Sequence, residues 1–260
     1  MESTASKREI KQKSHCVCIT DFFTKVKKEF TWDKGIRLFL IFLGSIFMIL
    51  NSVMGIAIPS TSVACINDKA LSLASPLNYF FRAHNVIKYI ITIISSLSID
   101  IVIIYALIHW FLCGKKGNYI ISLVIYLIAY LIIKQLFLVR EPDGYIWEFP
   151  YFPSVFVSYK RTSSLFYSNG LGVLMITCLE FKENEKKIMF RIATALLVFE
   201  SLFMIVLQAH YIIDIFTAIF MGHYIYIIVK YYYEIFDKKD KKDNREVKNE
   251  DLIPPSSSIN

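Results

Sequence analysis

What the sequence lacks narrows its class before any motif is read. There is no Asn-x-Ser/Thr sequon, so glycosylation offers no marker of sidedness. The first 34 residues lack the apolar core of a cleaved signal peptide, and the first long apolar run, opening at Gly35, is expected to remain as an uncleaved anchor. No internal repeat is visible. Cysteine is scarce and badly placed for pairing: of five, Cys16, Cys18 and Cys113 fall in segments expected in the cytosol, Cys178 falls in an apolar run, and Cys65 stands alone on the far side. That excludes a lumenal intrachain disulfide. Cys16 and Cys18 are either unmodified thiols or palmitoylation sites beside the membrane.

Apolar residues, by contrast, are in excess. The hydrophobic class makes up 55% of 260 residues and aromatics 15%, more than one water-soluble core of this size needs. A helix rises about 1.5 Å per residue, so a span of the roughly 30 Å apolar slab takes about 20 residues. Six runs fit: 35–58, 86–112, 119–139, 165–181, 188–209 and 212–231. The expected fold class is therefore all-α, a polytopic membrane protein with six transmembrane helices. Residues 1–34 form a cytosolic segment in which Phe22, Phe23, Val26 and Phe30 make the apolar stripe of an interfacial helix. Residues 35–236 form the membrane domain, and the charged, Pro- and Ser-ending stretch 237–260 is expected to be a disordered cytosolic tail. The fourth run carries Ser168, Asn169, Gly170, Gly172 and Thr177, polarity tolerated at membrane depth only against protein or a wet cavity.

A net charge of +7 does not point to nucleic acid, because the basic residues sit beside the spans on one side. With the N-terminus inside, 22 of the 29 Lys and Arg fall in cytosolic segments and six on the other side, with Lys134 inside a span. Both termini are thus expected in the cytosol. Three charges lie within spans, Asp100, Lys134 and Glu200, at depths of ~18, ~22 and ~18 Å from the cytosolic end. They are expected to share a cluster, or else to line a polar path.

The residues able to do chemistry gather late in the chain. In Gln-Ala-His-Tyr-Ile-Ile-Asp, His210 and Asp214 are one helical turn apart at the mouth of the last run. A carboxylate on one imidazole nitrogen raises the basicity of the other, as a nucleophile or general base requires. The same spacing equally suits an interfacial histidine beside an aspartate that caps a helix. Trp147, Tyr145, Tyr151 and Glu148 either form a cage for a quaternary ammonium or belong to an interfacial aromatic belt.

Across roughly residues 140–230, the stretches Asp143-Gly-Tyr-Ile-Trp-Glu-Phe-Pro, Phe166-Tyr-Ser-Asn-Gly-Leu-Gly and Ala209-His-Tyr-Ile-Ile-Asp resemble the sphingomyelin synthase and phosphatidylcholine:diacylglycerol cholinephosphotransferase family, relatives of the lipid phosphate phosphatases. The resemblance implies a bundle of that type in the endoplasmic reticulum or Golgi with a lumenal site and no metal or other cofactor. It implies transfer of phosphocholine or phosphoethanolamine from phosphatidylcholine or phosphatidylethanolamine to diacylglycerol or ceramide. His210 would attack phosphorus and Asp214 would orient it, with Tyr211 completing the motif. In the first motif Ser168 and Gly172 match, but Asn169 stands at the usual glycine and Gly170 at the usual histidine, which in the family helps protonate the leaving alkoxide. His84, with Tyr167 and Lys160 behind it, is the candidate to replace that acid. Lys134, Arg140 and Pro142 loosely resemble the phosphatases' phosphate-binding motif, and Arg140 or Arg161 suits phosphate oxygens. A relative that kept the fold without turnover, and a phosphatase using water as acceptor, are the alternatives.

Overall fold

The computed structural model describes residues 68–113, 117–136, 142–148 and 168–250, together with 35, 37–39, 41, 42, 44 and 46; at 70, 113, 134, 135 and 236–250 it describes only the course of the backbone. The expected interfacial helix at 22–30 and most of the first expected span lie outside these residues. Residues 1–44 form one compact unit, in which the described positions from Gly35 to Gly44 are helical. Everything below concerns the second unit, 45–260.

Among the described residues every element of the second unit is a helix: α1 (Lys69–Leu73), α2 (Ser75–Ala83), α3 (Asn85–Cys113), α4 (Asn118–Leu136), α5 (Asn169–Glu183), α6 (Lys187–Val206) and α7 (Ile212–Glu250). Three are long and apolar enough to cross a membrane: Asn85–Leu112, Lys187–Val206 and Ile212–Ile235. In α4 the apolar stretch is shorter, Asn118–Ile133. Of the run expected at 165–181, residues 165–167 lie outside the described residues; the described helix, Asn169–Glu183, has 15 residues and rises about 22 Å, less than the slab.

The distribution of side chains on α3 is that of a helix in lipid. Ile90, Ile94, Leu97, Ile101, Ile104 and Ile108 are exposed, while Lys88, Thr92, Ser95, Ser96 and Asp100 are buried. In water the preference is the reverse. Two of the three buried hydroxyls are satisfied within the helix: Thr92 donates to the Lys88 carbonyl and Ser96 to the Thr92 carbonyl, each at 2.8 Å.

At the centre is α5, which packs against α3, α4, α6 and α7. Its polar residues are spent on protein: the Tyr119 and Thr177 hydroxyls lie 3.1 Å apart, and the Tyr126 hydroxyl donates to the Ser168 carbonyl at 3.0 Å. Two glycines make this approach possible. A methyl group on Gly222 of α7 would lie 2.7 Å from the Gly172 carbonyl oxygen, and one on Gly172 would overlap the Tyr126 ring. Small residues at such a crossing let backbones touch, the usual device where lipid removes any hydrophobic drive for helices to associate.

Within the stretch expected to be a tail, the backbone of α7 continues to Glu250, and residues 251–260 lie outside the described residues. The intramembrane cluster is met at one carboxylate: Glu200, 1% exposed, accepts a hydrogen bond from Ser95 on α3. The Lys134 side chain lies outside the described residues.

Candidate functional site

The turn between α6 and α7 places the residues singled out by sequence. Leu207 caps α6 and Gln208 takes a left-handed backbone with φ of 50°. The Gln208 and Ala209 amides then bond back to the Ile205 and Met204 carbonyls at 3.1 and 2.9 Å. His210 and Tyr211 follow, and α7 opens at Ile212.

The loop 142–148 and the helix α2 hold this turn. The Ile146 amide donates to the Leu207 carbonyl at 3.1 Å. The Asn78 amide group donates to the carbonyls of Val206 and Gly144, at 2.9 and 3.0 Å, so one buried side chain fastens the end of α6 to the loop. A Cβ at Gly144 would overlap the Gln208 amide, so a side chain there would require Gln208 to move. Below the loop, Ile146 and Trp147 join Phe203, Leu207 and Ala209 in a buried apolar cluster.

Two carboxylates serve the start of α7. Asp214, third in the helix, accepts from the Tyr211 amide at 2.9 Å, and Asp68 accepts from the Ile212 amide at 2.9 Å. Both satisfy amides that the helix itself leaves unpaired, and both place negative charge at its positive end. His210 Nδ1 lies 3.8 Å from Asp214 Oδ2, the oxygen that takes the Tyr211 amide, and has no hydrogen-bond partner. Of the two readings left open by spacing, the helix cap is formed, whereas the imidazole–carboxylate hydrogen bond is not. Asp214 caps the helix, and it also stands next to His210, beyond hydrogen-bond length.

Ser168 is buried at the N-cap of α5, where its carbonyl rather than its hydroxyl is engaged. Gly170, in the first turn of α5, has nothing within 4 Å of where a Cβ would be. Tyr211 is 1% exposed. His84 follows α2 as its C-cap, stacked on Phe80 with ring centroids 4.5 Å apart and Nδ1 at 3.0 Å from the Phe80 carbonyl oxygen. Tyr167, Arg140 and Arg161 lie outside the described residues. Of the residues suggested as an ammonium cage, Tyr151 lies outside the described residues, and the described ones have other partners. Trp147 is consumed by packing, and Glu148 is held by Lys88 at 3.1 Å and by the Tyr89 hydroxyl at 2.6 Å.

Beside the turn is a cavity of about 510 Å³, within the size of small-ligand pockets. Gln208 and Tyr211, which bracket His210 in sequence, line it, with Asp68, Asn78, Arg82 and Asp143. Sequence reading passed over Arg82 and Asp68; the two-faced pattern of residues 73–84, apolar on one face and polar on the other, could have found Arg82, whereas nothing local marks Asp68. Among the described residues no three His, Cys, Asp or Glu side chains converge as a metal site would require. The chain matches no family model, no curated protein and no solved structure.

Proposed function

We propose that the chain is a six-span membrane enzyme that transfers a phosphocholine or phosphoethanolamine head group between lipids, with His210 as nucleophile. The observation that carries the reading is a half-buried imidazole whose Nδ1 has no hydrogen-bond partner, 3.8 Å from the fixed carboxylate of Asp214, next in sequence to Tyr211, which lines a polar cavity. One helix end thereby holds a base, its orienting acid and room for a head group. A small approach of His210 on substrate binding would complete the hydrogen bond, as catalytic contacts that are long in the empty enzyme commonly do. Nucleophilic attack on phosphorus forms the phosphohistidine and expels diacylglycerol as its alkoxide, which takes a proton from water. The hydroxyl of the acceptor, diacylglycerol or ceramide, then attacks phosphorus, gives its proton to the hydroxide left by the first step, so re-forming water, and displaces the imidazole, which is freed. With both termini cytosolic, this end of α6 faces the lumen of the endoplasmic reticulum or Golgi.

The reading is tested by reconstituting the purified chain in liposomes with head-group-labelled phosphatidylcholine and either diacylglycerol or ceramide. Labelled product should appear, and His210→Ala should abolish it. Product formed at the wild-type rate by His210→Ala overturns the mechanism. A second reading, a lipid-binding relative without turnover, is favoured by one observation: Gly170 stands open where an acid is needed. Since a side chain fits there, Gly170→His should raise a weak activity, by up to the roughly 10²–10⁴-fold that a placed general acid contributes. Folded wild type that transfers nothing decides for the second reading.

A further inference from the structure

The depth of α2 is set by what it holds. α6, Lys187–Val206, has 20 residues and rises about 30 Å, the thickness of the apolar slab, so its last carbonyls lie at the slab's edge. The buried Asn78 side chain of α2 donates to one of them, that of Val206, at 2.9 Å. One turn on, the Phe81 ring meets Phe203 of α6 edge-on, with centroids 6.2 Å apart. α2 therefore sits at the end of one span-length helix, and it opens directly into another. At His84 the backbone leaves the helical region, with φ of −118° and ψ of 67°, and α3 begins at Asn85. That one-residue joint turns the chain and keeps α2 at the mouth of α3.

Around its axis α2 has three sides, at about 100° per residue. Ala74, Asn78 and Phe81 share the side that meets α6. Ser75 and Arg82 share a polar side. Opposite them, Leu77 and Phe80, with Leu73 one turn earlier, fall within about 60° of arc and are 55%, 45% and 83% exposed. The exposed apolar series resumes at once in α3 with Val86, Ile87 and Ile90, the start of the face whose composition fits lipid. A short helix at the slab's edge, polar on one side and apolar on the opposite one, has acyl chains as the natural neighbour of its apolar stripe. We infer that α2 is a membrane-interface helix, with Leu73, Leu77 and Phe80 seated among the acyl chains of the leaflet on the side of the α6–α7 turn, and Arg82 toward water. Two bonds tie that turn to the seated segment: Asn78 to the Val206 carbonyl, and the Gln208 amide group to the Leu71 carbonyl at 3.3 Å. Lipid packing around α2 thereby bears on the turn that carries His210. The inference goes beyond head-group transfer and needs only that α3 and α6 cross the membrane.

The test uses the full-length chain in phosphatidylcholine nanodiscs, with a nitroxide coupled to p-acetylphenylalanine so that the native cysteines stay in place. The label is placed in turn at Leu73, Leu77 and Phe80, and at Arg82 on the opposite side. Its collisions with oxygen, which concentrates among acyl chains, are compared with its collisions with a water-soluble nickel chelate. The three stripe labels should favour oxygen and the Arg82 label the chelate, with ratios that differ several-fold. Stripe labels as open to the chelate as the one at Arg82 would place the stripe in water. Protection from both reagents would place it under protein, either residues 149–167 or a second copy of the chain. Each of these two results overturns the inference. A measurement without labels gives a second check: Leu77→Glu should lower the melting temperature in nanodiscs by several degrees, because it brings a charge into the acyl region, whereas Leu77→Phe should leave it unchanged. An unchanged melting temperature in Leu77→Glu overturns the inference as well. None of these readouts depends on turnover, so a protein that transfers no head group but gives the expected label pattern refutes the transferase and leaves α2 in the interface.

Discussion

The two ends of α6 are built from the same turn and put to different use. At both, the helix before the turn closes with a paired set of amide-to-carbonyl bonds around a residue in the left-handed region: Glu185 with φ of 55° after α5, Gln208 with φ of 50° after α6. At the first, the Lys186 and Glu185 amides reach Phe181 and Lys182 at 2.9 and 3.2 Å; at the second, Ala209 and Gln208 reach Met204 and Ile205. Glycine is the usual occupant of that position, and neither turn has it. The difference is in what surrounds them. The α5–α6 end is closed by charge: Glu180 accepts from Asn184 at 2.8 Å and from the Tyr226 hydroxyl at 2.9 Å, and Lys230 meets Glu183 at 2.5 Å. At the α6–α7 end a cavity is open, and polar side chains are turned toward it. Identical backbone geometry thus carries a sealed corner in one place and a candidate site in the other.

The largest effect that should separate the two ends comes from their asparagines. Asn78 is 3% exposed and its one amide group serves two carbonyls from distant parts of the chain. Asn78→Ala leaves both without a donor and should cost about 2–3 kcal/mol. Asn184→Ala, at an exposed corner, should cost about 1 kcal/mol or less. Reversible unfolding of the purified protein in mixed micelles measures both, and equal losses would show that the α6–α7 end is not held in the way described.

Asp214 allows a finer separation, because it caps α7 and stands beside His210. Asp214→Ala should lose about 1 kcal/mol, as removal of a helix-start acceptor does. Asp214→Asn keeps an oxygen for the Tyr211 amide and should recover most of that stability. It cannot recover transfer, because the neutral amide no longer orients and stabilises the imidazolium. A variant that regains stability and activity together would reduce Asp214 to a cap.

Much of this end was legible in the sequence for a simple reason. His210 and Asp214 are four apart, and helical geometry alone brings such residues together. The span-length runs at α3, α6 and α7 were equally visible, because a run of apolar residues is local information. What escaped was non-local. That Asn78 would fasten residues 144 and 206, or that Asp68 would cap α7, depends on contacts across 66 to 144 positions, which no spacing rule reaches. The aromatic loop is ambiguous in sequence, because a Trp that packs beneath a loop and one that receives a cation look alike there.

The smallest expected effect tests whether the two left-handed residues are held for the same reason. A side chain in that region costs about 1 kcal/mol, which glycine relieves while adding disorder to the unfolded chain. Glu185 is exposed, so Glu185→Gly should stabilise the protein by up to about 1 kcal/mol. Gln208 is 7% exposed and its amide donates to the Leu71 carbonyl at 3.3 Å. Gln208→Gly relieves the same backbone cost but gives up that bond, about 1 kcal/mol, and removes the side chain against which Gly144 is packed. The two terms should nearly cancel, leaving stability unchanged or slightly lower and the cavity larger. A stabilisation equal to that of Glu185→Gly would mean that Gln208 is strained without return. A loss, together with slower head-group transfer, would mean that the strained turn persists because it shapes the site.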